Sequence, residues 1–168
     1  MAAGRDLARI GDTEGVDVRR VGFAVLPVAA AAGLGGLASR KAPAVYQRLR
    51  KPRWAPPASA FGPVWSTLYV AIAAAGWRIY ATASPTTRRL HLTQLALNGA
   101  WPAAFFGIRD KGASLVIIAS LDLALGLEVA RLREEDRRAA GLLVPYLAWC
   151  GFATALNAAL SEPETNDS

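Results

Sequence analysis

The placement of charge constrains this chain more than any other feature. Val21 to Ser39 is a run of 19 residues without Asp, Glu, Lys or Arg, Trp54 to Trp77 a run of 24, and Leu90 to Ile108 another of 19. Gly112 to Ala130 is broken only by Asp122 and Glu128, and Ala139 to Ser161 extends for 23 residues. A helix needs about 20 mainly apolar residues to cross a hydrocarbon core. A helix of that length in water shows a charge on its wet face at nearly every turn. The five stretches therefore predict an all-α fold, a bundle of five transmembrane helices. The expected spans are about 21–39, 60–80, 90–108, 112–130 and 139–160. Between and around them the sequence predicts a polar N-terminal tail at 1–20, a lid-like loop at 40–59 and an acidic C-terminal tail at 161–168.

Strands fit these stretches poorly, because Ala, Leu and Gly run together without the alternation a membrane barrel needs. Pro27, Pro63, Pro102 and Pro145 fall inside the segments, where neighbouring helices can satisfy the carbonyls they free. The first stretch is not expected to be a signal peptide, since 20 residues including Asp12, Glu14 and Asp17 precede it. Lys and Arg number 11 on one side and 8 on the other, which favours an N-terminus inside by a narrow margin.

Composition removes other classes. An apolar fraction of 53% excludes a disordered chain. Cys150 has no partner for a disulfide, and with His91 as the lone histidine there is no zinc ligand set, so no metal is expected. The net charge of +6 resides in residues flanking the apolar stretches, where they meet lipid head groups rather than nucleic acid. No Ser/His/Asp or Cys/His arrangement and no Gly-rich phosphate loop is present.

The most informative segment is 46–69. Lys51-Pro52 and Pro56-Pro57 force stiff, extended backbone around Trp54. Phe61-Gly62-Pro63 then opens a helix, with proline in the first turn where its missing N–H costs nothing. Trp65 and Tyr69 follow at i and i+4, on one face. Residues 40–53 hold six basic residues and no acid, so a basic, aromatic loop is expected over the mouth of a helix pair. On the third stretch Gln94, Asn98, Trp101 and Phe105 share a face; on the fifth, Tyr146, Trp149, Ala153 and Asn157 do. With Phe61, Trp65, Leu68 and Ile72 on the second, converging faces would line a cavity with flat aromatic walls and two amides.

The string Lys51-Pro-x-Trp54-x-Pro-Pro57, then Phe61-Gly-Pro-Val-Trp65 and Leu68-Tyr69, resembles the signature of the TspO/MBR family of tryptophan-rich sensory proteins. Gln94-Leu-Ala-Leu-Asn98-Gly-Ala-Trp101-Pro102 and Pro145-Tyr146-Leu-Ala-Trp149 are similar to the family's third and fifth helices. The resemblance covers about residues 21–160 and implies a five-helix membrane fold in, for this chain, a bacterial cell membrane. It also implies tetrapyrrole ligands such as protoporphyrin IX or haem, and no separate cofactor. The ligand-binding residues carried over by motif are Tyr46, Trp54, Phe61, Trp65, Asn98, Trp101, Trp149, Ala153 and Leu156. Basic loop residues are expected to hold the ligand's carboxylates. Some bacterial members imply a different activity, light-dependent porphyrin degradation, in which Trp65 and Trp149 would be catalytic; a tetrapyrrole transporter is a third reading. The animal members' sterol motif is absent, because Asn157 is followed by Ala-Ala-Leu-Ser-Glu, and sterol binding is not expected.

Plainer readings stand beside these. Tryptophans in membrane proteins anchor at interfaces, and Asn98 and Asn157 can bond across helices. Gly151, Ala155 and Ala159 at i+4 spacing make a homodimer plausible. His91 reads as a boundary residue and Cys150 as a small packing group. Asp122, an acid in a span, is either functional or held by a polar partner.

Overall fold

The computed structural model describes residues 17–108 and 110–160, apart from the side chain of Lys41. The tail assignments at 1–16 and 161–168 lie outside the described residues. Six α-helices follow in order: α1 (Val18–Ala38), α2 (Ala42–Arg48), α3 (Phe61–Thr82), α4 (Pro85–Pro102), α5 (Lys111–Glu135) and α6 (Arg137–Ala159). Short 3₁₀ turns occupy Ser39–Lys41 and Ala58–Ala60, and a wider π turn occupies Ala103–Ile108.

Local chemistry explains the starts and stops. Asp17 accepts from the N–H groups of Arg19 and Arg20, Ser84 from Thr87 with Pro85 in the first turn, and Asp110 from Ala113. These are N-cap bonds that satisfy otherwise orphaned donors. The π turn begins just after Pro102, whose ring nitrogen donates nothing to the carbonyl four residues back.

The five long helices close a ring, with neighbours in the order α1, α3, α6, α5, α4 and back to α1. Ile72, Ile79, Leu125, Leu132, Leu143 and Tyr146 fill the interior. Glycines set the closest approaches. A Cβ on Gly76 would lie 3.2 Å from the Ala24 Cα, and one on Gly99 would lie 3.3 Å from the Ala31 Cα, so α1 packs against α3 and α4 nearly backbone to backbone. Such contact matters in lipid, where the surroundings are as apolar as the core and association rests on close packing. Outside, Leu26, Leu34, Val70, Val116, Leu123 and Val144 are exposed around the bundle.

Four helical stretches are long and apolar enough to cross a membrane: Val18–Ala38, Ala58–Thr82, Lys111–Glu135 and Arg137–Ala159. The third expected span, 90–108, does not emerge as a single apolar helix. It is α4, starting earlier at Pro85, followed by the π turn. Its polar residues explain the low hydropathy: Thr87, His91, Gln94 and Asn98 are buried inside the ring, while Leu92 is exposed outside. This helix is amphipathic in reverse.

Other boundaries shift as well. Helix α1 begins at Val18, inside the expected polar tail. The expected loop 40–59 contains α2 and two 3₁₀ turns. Residues 131–138, left between the fourth and fifth expected spans, are nearly all helix, with Asp136 alone between α5 and α6. Charge spacing marks the apolar slab, whereas helices continue beyond it on residues such as Arg131, Leu132 and Glu135 that favour helix.

Candidate ligand cavity

One end of the ring is hollow. A cavity of about 470 Å³ lies between the end of α1, the loop helix α2, the start of α3 and the end of α4. Its walls are Tyr46, Phe61, Trp65, Tyr69, Trp101 and Phe106, with Asn98 among them and Ala32, Gly35 and Gly36 of α1 leaving room opposite. The opening proline of α3 and the helical spacing bring Phe61, Trp65 and Tyr69 into successive turns of one wall. Trp65 and Tyr69 stack at 5.3 Å, and Trp101 stacks on Phe105 at 5.3 Å while meeting Phe106 edge-on at 5.9 Å. These are the offset and T-shaped geometries aromatic pairs favour.

Asn98 is the fixed polar point. Its Oδ1 accepts from the Tyr69 hydroxyl at 3.0 Å, and its Nδ2 donates to the Tyr146 hydroxyl at 2.9 Å. The amide thus joins α4 to α3 and α6 and cannot swing. The indole Nε1 of Trp101 is buried without a partner.

Tyr46 ties the loop down. It is buried, its hydroxyl donates to the Pro56 carbonyl at 2.9 Å, and its ring meets Phe61 edge-on at 5.4 Å. Burial pushes its phenol pKa above the ordinary value. Lys51 caps α2 by donating to the carbonyls of Tyr46, Gln47 and Leu49 at 3.0–3.1 Å. Among the loop cations expected to hold a ligand's carboxylates, Lys51 has its ammonium engaged by the α2 C-terminus.

Of the nine residues carried over by motif, Tyr46, Phe61, Trp65, Asn98 and Trp101 line the cavity. Trp54, Trp149, Ala153 and Leu156 are not among its lining residues. Trp149 stands behind Phe61 at 5.8 Å, Trp54 lies exposed with its edge on Phe152 at 5.7 Å, and Leu156 packs with Tyr46 and Leu160 beneath the loop. Asn157 does not face the cavity either; its amide donates to Ser114 on α5 at 3.3 Å. The residues missed were Tyr69, Phe106 and the small residues of α1. Tyr69 was signalled by its spacing from Trp65; the α1 wall had only its Gly-rich end as a cue.

Three polar residues of the spans find settings too. Asp122 accepts from the Thr154 hydroxyl at 2.6 Å. Cys150 is buried in the core. His91 is not a boundary residue: it is fully buried, with Nδ1 2.8 Å from Glu128 Oε1.

The residues lining the cavity fall within the stretch 23–162 that matches the TspO/MBR family. The chain belongs to the TspO/MBR family. It is similar to the translocator protein of Homo sapiens, 39% identical over 118 residues, which are 67% of this chain and 70% of that protein. The translocator protein of Sus scrofa is 36% identical over 148 residues, 82% of this chain and 85% of the relative. The tryptophan-rich protein TspO of Archaeoglobus fulgidus is 36% identical over 118 residues, 68% of this chain and 76% of the relative. Family membership and the apolar helices together make this a multi-pass membrane protein of TspO type.

Proposed function

We propose that this TspO/MBR member is a membrane receptor for flat, hydrophobic tetrapyrroles of the protoporphyrin IX or haem kind, acting in tetrapyrrole handling or stress response. The observation that carries the reading is the cavity's make-up. Two sets of stacked rings face a space of about 470 Å³, a size that suits a drug-sized or larger planar ligand. Trp65 and Trp101 offer faces for stacking, and the Tyr69–Asn98 pair offers a polar edge. In this reading α4 crosses the membrane as a fifth span, its polar side turned inward and shielded from lipid by α1 and α5.

Binding is favoured over light-dependent degradation because only one of the two tryptophans required, Trp65, lines the cavity; Trp149 stands behind Phe61. The test is a titration of protoporphyrin IX into the detergent-purified protein, in darkness and under light. Saturable quenching of tryptophan fluorescence with an unchanged porphyrin spectrum supports the receptor. Loss of the porphyrin in light, abolished by Trp65→Phe or Trp149→Phe, replaces it with the enzyme, and no quenching removes the tetrapyrrole reading.

A further inference from the structure

The centre of the ring holds an acid and a base that the cavity does not use. His91 on α4 and Glu128 on α5 are both 0% exposed, with Nδ1 and Oε1 2.8 Å apart. Gln94 stands 3.4 Å from the same nitrogen. Replacing a buried pair by apolar residues of similar volume is often neutral or stabilising. A pair retained within an apolar bundle therefore points to a use beyond holding helices together. Its hydrogen bonding is also incomplete: His91 Nε2, Glu128 Oε2 and Gln94 Oε1 are buried without partners.

Space decides what such a site can accept. Phe23 stacks on the imidazole at 5.6 Å, and a Cβ on Gly76 would come within 3.1 Å of Nε2. The free nitrogen is pressed against helix α3, with no room for a coordinated ion there. A proton needs no volume. Polar groups nearer to water lie on the same helix. One turn from His91, the buried Thr87 hydroxyl bonds Glu135 Oε1 at 3.1 Å and the Ser84 hydroxyl at 3.1 Å, and Glu135 is only half-buried.

We propose that His91 and Glu128 form a proton-binding site at the centre of the bundle, loaded from the end where Ser84, Thr87 and Glu135 meet. In the resting pair one proton is shared between Nδ1 and Oε1, and the pair is neutral overall whichever atom holds it. Uptake of one proton from water gives an imidazolium beside a carboxylic acid, one positive charge in total; release returns it to water. From α1 the pair is faced by Phe23 and Ala24 and from α3 by Gly76, none of which titrates. The titratable groups on the packed elements are otherwise engaged. Arg20 is on Trp77, Arg88 on Tyr80, Asp122 on Thr154, Tyr146 on Asn98 with Cys150 beside it, and Arg78, Asp136 and Glu135 are at the polar end.

His91 is the chain's single histidine, so heavy-nitrogen labelling of histidine yields a signal from this site alone. The experiment uses the full chain in phosphatidylcholine nanodiscs, without any tetrapyrrole, so its outcome is independent of the ligand reading. Between about pH 9 and pH 4 the two ring-nitrogen resonances should shift reversibly, reporting uptake of one proton. Glu128→Gln removes the carboxyl oxygen that shares the resting pair's proton and should shift the midpoint by about one pH unit or more, a tenfold change in proton affinity. Resonances that stay constant over that range in the wild type, or the same midpoint in Glu128→Gln, overturn the proposal. If Glu128→Gln does not fold, infrared difference spectra of the wild type decide. A change in the buried carboxyl bands on acidification supports the site, and an unchanged carboxyl region overturns it.

Discussion

The two ends of the bundle are built on opposite principles. At one end every helix terminus is tied by charge. Asp136 caps α6 through the N–H groups of Arg138 and Ala139, pairs with Arg78 of α3 at 3.0 Å and accepts from Thr82 at 3.0 Å. Beside it, Glu135 accepts from the Ser84 N–H at 3.1 Å and hydroxyl at 2.8 Å, holding the start of α4. Arg20 adds a bond to the Trp77 carbonyl at 2.7 Å. At the other end the helices finish in 3₁₀ and π turns, two lysines cap C-termini, and aromatic rings surround empty space. One end fastens the ring so that the other can stay open without the helices collapsing into it.

The contrast can be broken most forcefully at Asp136. Asp136→Ala removes a cap and leaves the Arg78 guanidinium without its carboxylate, while Thr82 keeps the Arg78 carbonyl as acceptor, so we expect a loss on the order of 3 kcal/mol, read as a fall in Tm in detergent. A change under about 1 kcal/mol would show that the knot does not fasten the ring. The cavity end should respond in binding rather than stability. Trp101→Ala is expected to weaken porphyrin affinity by about 2 kcal/mol, roughly thirtyfold, while the exposed Trp54→Ala shifts it little; equal effects in a fluorescence titration contradict the geometry.

Smaller effects sharpen the same comparison. Lys51→Met strips the α2 cap and should cost about 1 kcal/mol or less, visible as faster proteolysis of the loop with an unchanged global Tm. Acid provides the finest test. Burial pushes the Asp136 carboxyl up, but the Ala139 N–H, the Arg78 guanidinium and the Thr82 hydroxyl together hold it below its ordinary value of 3.8. A depressed acid stabilises the fold fully above the unfolded value, and that contribution fades as pH falls through the folded one. The Tm difference between wild type and Asp136→Asn should therefore be constant at neutral pH and shrink below about pH 4. A difference that grows on acidification contradicts the assignment.

Much of the cavity was legible in the chain before any coordinates. The aromatic residues Phe61, Trp65 and Trp101 and the amide Asn98 lie at helical spacings that place them on two facing walls, and they do line it. Trp149 and Asn157 were assigned to the same space because they share a face with Tyr146, yet the ring turns that face partly toward α5 and the loop. Periodicity says which residues share a side of a helix, not which neighbour that side meets. Lys51 makes a related point: a cation near a cavity can serve a ligand or the carbonyls of its own helix end, and the sequence does not show that its ammonium reaches Tyr46, Gln47 and Leu49.

By itself the sequence determined the all-helical class, four of the apolar spans and the family. Those follow from local spacing of charge and from motifs contiguous in the chain. The tertiary structure alone decided the orientation of α4. Its polar residues suit an outward, wetted face as well as an inward one, and the choice rests on partners far away, with Glu128 lying 37 residues from His91. A buried acid and base stabilise each other only across a ring that the whole chain must close, and no local pattern carries that information.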